Sequence, residues 1–182
     1  MAMDDESGGD VWVQDRSRRT LLKASLSMSV LPIAAASPGA LAAPISWVHG
    51  NSAAVINAHQ LEADSIRGNA RVVQGRSWST LSLHYAIPSP MQLPGPLMKV
   101  SAIWIRMQGG KGASISSVAL HDGEIALVRL DTLNLQHEQW QDVRIPLATP
   151  LCITRCIGVT FECQFADVDR YISISAVGCE LA

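Results

Sequence analysis

Three tryptophans stand among the polar residues of segments in which apolar and polar side chains alternate. They are Trp78, Trp104 and Trp140. Exposed indole rings of this kind offer flat apolar surfaces on which a sugar ring can stack. Polar residues in the same phase that would add hydrogen bonds are His84, Arg106, Asp142 and Arg144. We therefore predict a ligand-binding face for carbohydrate or cell-envelope glycan, unless a bulge shifts the phase or loops cover the rings.

Motifs for catalysis are absent from the sequence. No HExxH, GxSxG, Walker or dinucleotide-binding pattern occurs, and residues 75–79 begin like a nucleophile elbow but end in serine. Residues 109–112 place a lysine among glycines without a following helix, which favours a hairpin loop over a phosphate cradle. The five histidines are scattered and predict neither a metal site nor a cofactor. These absences favour a non-enzymatic binding role over a structural or protein-interaction module, and over a hydrolase without a recognisable motif.

The composition is that of a globular protein and excludes two classes of partner. Charged residues make up 16% of the 182 residues, hydrophobic residues make up 48%, and the formal net charge is −2. Without a basic surplus, the chain lacks the charge that drives non-specific binding to nucleic acid or to anionic membranes. No apolar run of about 18 residues occurs after residue 43, so no membrane span is predicted there.

The first 42 residues are organised like an export signal. Residues 17–23, SRRTLLK, resemble the twin-arginine signal pattern around Arg18 and Arg19, with leucine where phenylalanine is usual. An apolar run follows, and Ala40 and Ala42 form the small-residue pattern that a signal peptidase cleaves. The resemblance implies transport by the twin-arginine translocase and a mature domain, residues 43–182, in the periplasm or the medium. An ordinary secretory signal is the alternative, but the acidic residues before Arg18 leave no positive n-region.

Within residues 43–182 the apolar side chains recur at every second position, which is typical of strands with one buried face. These residues are Leu81, Leu83, Tyr85 and Ile87; Ile103, Ile105 and Met107; Val143, Ile145 and Leu147; and Ile157, Val159, Phe161, Cys163 and Phe165. No segment predicts a long amphipathic helix, and residues 131–139 have room for a turn or two. The pattern predicts one all-β domain, a jelly-roll-like antiparallel β-sandwich of about eight or nine strands, with an open barrel as the alternative.

Turn residues separate the alternating segments. The pair Asp122-Gly123 is the strongest hairpin signal in the chain. Residues 88–96 are rich in proline, which has no N–H for a strand ladder, so they predict a stiff crossover. Trp47, near the start of the mature domain, is expected to anchor the first strand to the core.

All four cysteines fall near the end of the chain, at Cys152, Cys156, Cys163 and Cys179. In an exported protein an even number of cysteines is typical of disulfides, whose connectivity the sequence leaves open. If residues 166–170 form a hairpin turn, Ile157 lies opposite Cys179, which favours a Cys156–Cys179 bridge and leaves Cys163 as a buried thiol. Because the twin-arginine route carries folded proteins, the domain is expected to fold before any bridge forms.

Several short segments are distinctive. They are residues 47–50 (WVHG), the proline-rich middle, residues 115–123 ending in HDG, residues 157–161 (IGVTF) and residues 175–179 (SAVGC). Together they resemble a family of small bacterial and fungal proteins that is classed only as a domain of unknown function. The resemblance extends over nearly all of the mature domain and implies a single compact domain. It implies no catalytic residues.

Overall fold

The computed structural model describes residues 43–89 and 97–182, which fold into two antiparallel β-sheets with a shared core. The strands are β1 (Ile45–His49), β2 (Ala54–Val55), β3 (Leu61–Arg67), β4 (Ala70–Gly75), β5 (Ser79–Ile87), β6 (Lys99–Gly109), β7 (Ala113–Asp122), β8 (Ile125–Leu130), β9 (Gln141–Cys152), β10 (Ile157–Phe165) and β11 (Tyr171–Leu181). Two short 3₁₀ helices, Gly50–Ser52 and Ala58–Gln60, accompany them. The predicted all-β, jelly-roll-like sandwich is confirmed.

The two sheets differ in size and strand order. The six-stranded sheet has the order β3-β4-β11-β6-β9, and β1 also pairs with β11. The five-stranded sheet has the order β2-β5-β10-β7-β8. β4 pairs with the first half of β11, from Tyr171 to Ile174, whereas β1 pairs with its second half, from Ala176 to Glu180. The last strand is therefore an interior strand of its sheet.

The core lies between the sheets and consists of the alternating apolar residues that the sequence predicts. Leu81, Leu83 and Tyr85 of β5 are buried, as are Ile103 and Ile105 of β6. Tyr85 also packs edge to face against Phe161 of β10, with ring centroids 6.1 Å apart. On the edge strand β9 the burial is weaker, because Val143 and Leu147 are only half-buried.

The described residues contain eleven strands, more than the predicted eight or nine. The prediction was low because the additional strands have no clear alternation of burial. β2 is two residues long, and in the edge strand β3 every residue after Leu61 is exposed. Such segments bury too little apolar surface to give a period-two pattern.

The hairpin predicted at Asp122-Gly123 is confirmed. β7 pairs with β8, and Asp122 lies opposite Ile125 across a two-residue turn. Gly123 has φ +63°, a left-handed conformation that glycine adopts without steric cost.

The hairpin predicted at residues 109–112 is wrong, and residues 166–170, which do link the last two strands, do not form the hairpin turn on which the predicted disulfide depends, because both segments cross from one sheet to the other. β6 and β11 belong to the six-stranded sheet, whereas β7 and β10 belong to the five-stranded sheet. The two links bond to each other: the Gly112 N–H donates to Asp169 O at 3.2 Å, and the Ala166 N–H donates to Gly112 O at 2.7 Å. A Cβ at Gly112 would stand 1.8 Å from Val168 O, so the close approach requires glycine.

The remaining predictions concern two connections. The segment after β5 leads from the five-stranded to the six-stranded sheet, which fits the predicted crossover, although residues 90–96 lie outside the described residues. Residues 131–139 form no helix and instead contribute a single bridge, between Leu135 and Ile115.

Candidate functional site

The candidate site lies on the outer face of the six-stranded sheet, the side turned away from the five-stranded sheet. In β6 the core residues Ile103, Ile105 and Met107 alternate with the outward Trp104, Arg106 and Gln108. The strand register places Gly178 of β11 on one side of Trp104 and Arg144 of β9 on the other. Tertiary pairing thus joins the predicted residues Trp104, Arg106 and Arg144 on one surface.

The carboxylate of Glu180 organises one part of this face. It accepts hydrogen bonds from Trp104 Nε1 at 3.1 Å and from Ser101 Oγ at 2.9 Å. Arg144 donates to both carboxylate oxygens, from Nε at 2.8 Å and from Nη2 at 2.7 Å. These hydrogen bonds, led by those of Arg144, lower the pKa of Glu180 to about 2. The carboxylate therefore stays ionised and fixes the orientation of the Trp104 ring.

Trp47 belongs to this face, and its predicted role as a core anchor is wrong. Its side chain is 42% exposed, and its ring centroid lies 6.3 Å from that of Trp104. The pairing of Trp47 with Gly178 directs the indole outward, whereas the next residue, Val48, packs against the core. The alternation of Trp47 and Val48 was the available signal, but only the pairing with β11 decides which of the two faces the core.

Arg106 follows Trp104 in β6 and contacts Trp140, another of the predicted tryptophans. Its Nη1 donates to Asp142 Oδ2 at 2.6 Å, and its guanidinium carbon lies 5.7 Å from the centroid of the Trp140 ring. This separation is within the range of a cation–π interaction. The predicted group of Trp104, Trp140, Arg106, Asp142 and Arg144 is thus assembled on one face.

Beside Trp140 a groove of about 400 Å³ crosses the outer face from β3 to β6. Its lining residues are Ala63, Ser65, Arg67, Ala70, Val72, Gln74, Gln108, Trp140, Tyr171 and Ser173. Strands lie about 4.8 Å apart, so the groove extends over about 14 Å across four strands. This volume is in the range typical of small-molecule sites.

The polar side chains of the groove are without partners. Gln74, Gln108 and Tyr171 make no side-chain hydrogen bond to any residue that the structure describes, and neither do Ser65 and Ser173. The Glu180 carboxylate nearby is already surrounded by donors. The free hydrogen-bonding capacity of this face is therefore concentrated in the groove.

Sequence reasoning missed these groove residues. Gln74 and Gln108 occupy the polar positions in the alternation of their strands, and this was the only feature of the sequence that indicated an outward side chain. They meet because β11 lies between β4 and β6, and that arrangement depends on contacts between residues far apart in the sequence.

Trp78 is not on this face. It lies in the turn between β4 and β5, is 79% exposed, and has φ +56°. It borders a separate hollow of about 210 Å³ that is also lined by Lys111, Gln136 and Gln164. The predicted platform of three tryptophans is therefore divided, and a ligand-binding role for Trp78 stays a prediction.

His84 is also separate, because β5 belongs to the five-stranded sheet. Its Nδ1 lies 2.9 Å from Thr160 Oγ1, and its ring centroid lies 6.0 Å from that of His121. Desolvation, with a smaller contribution from His84, lowers the pKa of His121. His84 cannot share a ligand with Arg106 and Arg144 on the opposite side of the sandwich, so its ligand-binding role stays a prediction.

The four cysteines lie within the described residues and are free thiols, so the favoured Cys156–Cys179 bridge is not formed. Its premise fails because β10 and β11 are in different sheets. Cys152 and Cys156 are exposed, whereas Cys163 and Cys179 are buried. Burial raises the pKa of both Cys163 and Cys179 to about 12. The predicted burial of Cys163 is confirmed.

No group of three or more His, Cys, Asp or Glu side chains within residues 43–89 and 97–182 is arranged to hold a metal ion. No helix in this part is long and apolar enough to cross a membrane.

No protein-family model matches the chain, and no curated protein is significantly similar to it. Among solved structures, a low-affinity xylan-binding module (CBM86) from Roseburia intestinalis aligns with a TM-score of 0.46 and 11% identity, over 76% of this chain and 96% of that one. The C-terminal CBM6 of a laminarinase from Zobellia galactanivorans aligns with a TM-score of 0.44 and 11% sequence identity, over 75% of this chain and 99% of that one. A cyclase from Fischerella sp. TAU aligns with a TM-score of 0.41 and 10% sequence identity, over 75% of this chain and 86% of that one. These TM-scores are low and the aligned proteins differ in function, so the likenesses carry no argument about family or activity.

Proposed function

We propose that this protein is a glycan-binding module whose ligand lies in the groove beside Trp140. The observation that carries the proposal is that unpartnered amide and hydroxyl groups line one groove together with the aromatic rings of Trp140 and Tyr171. A sugar presents hydroxyl groups at its edge and C–H groups on its faces. The side chains of Gln74 and Gln108 can both donate to and accept from hydroxyl groups, and the rings can cover the C–H faces.

The groove favours binding over hydrolysis. Among the residues that the structure describes, none that lines the groove is an Asp or Glu. Glycoside hydrolysis normally needs two carboxyl groups that flank the scissile bond. The groove therefore offers contacts to a glycan but no such acid and nucleophile.

The aromatic residues next to the groove extend the same surface along β6. Trp104 and Gln108 are four residues apart, which corresponds to about 13 Å along a strand. Trp47 adds a second exposed indole beside Trp104. A ligand with several sugar units would contact the groove and this aromatic pair together.

Titration of the full chain with envelope polysaccharides and neutral oligosaccharides, followed by tryptophan fluorescence, tests the proposal. We expect a ligand-dependent change in emission that Trp140→Ala abolishes. Trp78→Ala is the matched control, because it removes an exposed indole that lies outside the groove. Light scattering on the same samples separates glycan binding from self-association through Trp47 and Trp104. The absence of any response across the panel would contradict the proposal.

We further propose that the protein is exported by the twin-arginine translocase, cleaved after Ala42 by signal peptidase, and released into the periplasm or the medium. Support comes from Arg18 and Arg19 within SRRTLLK and from Ala40 and Ala42. Residues 1–42 lie outside the described residues. Replacing both arginines by lysine should stop export and leave the precursor in the cytoplasm; unimpaired export would contradict the route. Membership of the family of unknown function stays a prediction.

A further inference from the structure

The described residues that line the groove include a positive charge and no negative charge. Arg67, the last residue of β3, is exposed and lines the groove, which contains no acidic side chain. It makes no ion pair and no side-chain hydrogen bond with any residue among 43–89 and 97–182. All donors of its guanidinium are therefore available to a ligand.

The other arginines of this sheet differ from Arg67 in having carboxylate partners. Arg71 is paired with Asp64 at 2.5 Å. Arg106 is likewise paired with Asp142, at 2.6 Å. A guanidinium and a carboxylate form a planar pair with two parallel hydrogen bonds, which neither hydroxyl nor amide groups reproduce. Arg67 thus lacks the carboxylate partner that the other arginines of this sheet have.

We propose that the ligand of the groove is an acidic glycan, with a uronic acid carboxylate bound by Arg67 and neighbouring sugar units extending toward Trp140. This inference rests on the glycan-binding role proposed above. Arg67 on β3 and Trp140, which directly precedes β9, border opposite edges of the groove, about 19 Å apart across the strands, so an oligosaccharide of several units can reach both.

An acidic peptide would satisfy Arg67 but would fit the rest of the groove less well. Between Arg67 and Trp140 the polar side chains are neutral, namely Gln74, Gln108 and Ser173. The groove has no second cation for a run of carboxylates, and the chain has a net charge of −2. One carboxylate followed by neutral hydroxyl groups is the arrangement that these residues complement.

Calorimetry with the full chain tests the proposal. The ligands are oligomers of galacturonate, oligomers of mannuronate and guluronate, and glucuronate-substituted xylan fragments, each paired with its carboxyl-reduced form. We expect at least one acidic ligand to bind about tenfold more tightly than its reduced form, and Arg67→Gln to remove this difference. Arg76→Gln is the matched control, because Arg76 is also exposed but lies just beyond the end of β4, outside the groove and about 20 Å along the strand from Ala70, the residue paired with Arg67.

The outcomes separate the two proposals. Equal affinity for acidic and reduced forms, unchanged by Arg67→Gln, would overturn the acidic-glycan inference while leaving glycan binding intact. No binding of any glycan would overturn the glycan-binding role itself. Binding of oligoglutamate as tightly as the best uronate would show that the groove selects carboxylates without selecting sugars, and would also overturn the inference. Loss of the preference in both arginine variants would point to general charge and contradict a specific role for Arg67.

Discussion

Trp47 lies so close to Gly178 that a Cβ built on the glycine would stand 2.8 Å from the Cε3 atom of the indole. The same Cβ would lie 2.9 Å from the backbone oxygen of Ser46. The position of the indole on the outer face therefore depends on the absence of a side chain at residue 178.

Replacing Gly178 by alanine should destabilise the domain and displace Trp47. The expected cost is about 1–3 kcal/mol, because the backbone of β1 and the indole must both shift. Urea denaturation gives the free energy of unfolding. In a double-mutant cycle with Trp47→Ala, the cost of Gly178→Ala should be smaller, since the indole is gone. Equal costs in both backgrounds would mean that Trp47 does not constrain residue 178.

Glu180 should make the stability of the protein depend on pH under acidic conditions. Its folded-state pKa of about 2 is below the usual value of 4.5, so the unfolded chain takes up a proton first as the pH falls. The stabilisation is complete above about pH 4.5 and is lost as the pH approaches 2. Between pH 5 and pH 2, the Glu180→Gln variant should lose less unfolding free energy than the wild type. Parallel curves for the two proteins would contradict this.

The four thiols should divide into two classes of reactivity. Cys152 and Cys156 are exposed, whereas Cys163 and Cys179 are buried and have a pKa of about 12. A thiol reagent at mildly alkaline pH should modify two cysteines quickly in the folded protein and all four in denaturant. The double variant Cys152→Ser and Cys156→Ser should show no fast reaction. Rapid modification of four thiols in the folded wild type would contradict the burial.

Trp78→Gly should stabilise the domain relative to Trp78→Ala. Residue 78 has φ +56°, which is unfavourable for a residue with a side chain, and glycine relieves that strain. The expected difference between the two variants is about 1 kcal/mol, measured as the free energy of unfolding in urea. The alanine variant is the control because it removes the same exposed ring and keeps the strain. A less stable glycine variant would mean that the loop tolerates this conformation without cost.

The sequence was sufficient to predict the strands that build the core, because alternation is a local property. Leu81, Leu83 and Tyr85 were recognised as buried from their spacing alone. The same rule placed Trp104 on the outer face. Trp47 was expected in the core from its place at the start of the domain, and this was wrong, because a single strand does not reveal which of its faces the next sheet covers.

Strand pairing could not be predicted in the same way, because it depends on contacts between distant segments. Residues 166–170 have the composition of a hairpin turn, yet they lead from β10 to β11 in the other sheet. The backbone of Ala166 and Asp169 is hydrogen-bonded to Gly112, more than fifty positions earlier in the chain. The groove was missed for the same reason, since Ser65, Gln74, Gln108 and Tyr171 meet only after β11 has been inserted between β4 and β6.

The position of β11 also has a consequence for the order of assembly during synthesis. β11 pairs with β1, β4 and β6, so three strands of the six-stranded sheet wait for a partner that is synthesised after all of them. A nascent chain that ends before residue 171 therefore lacks the strand that joins the first part of the domain to the rest. Because these pairings join strands that are far apart in the sequence, completion of the sheet is a late and comparatively slow event.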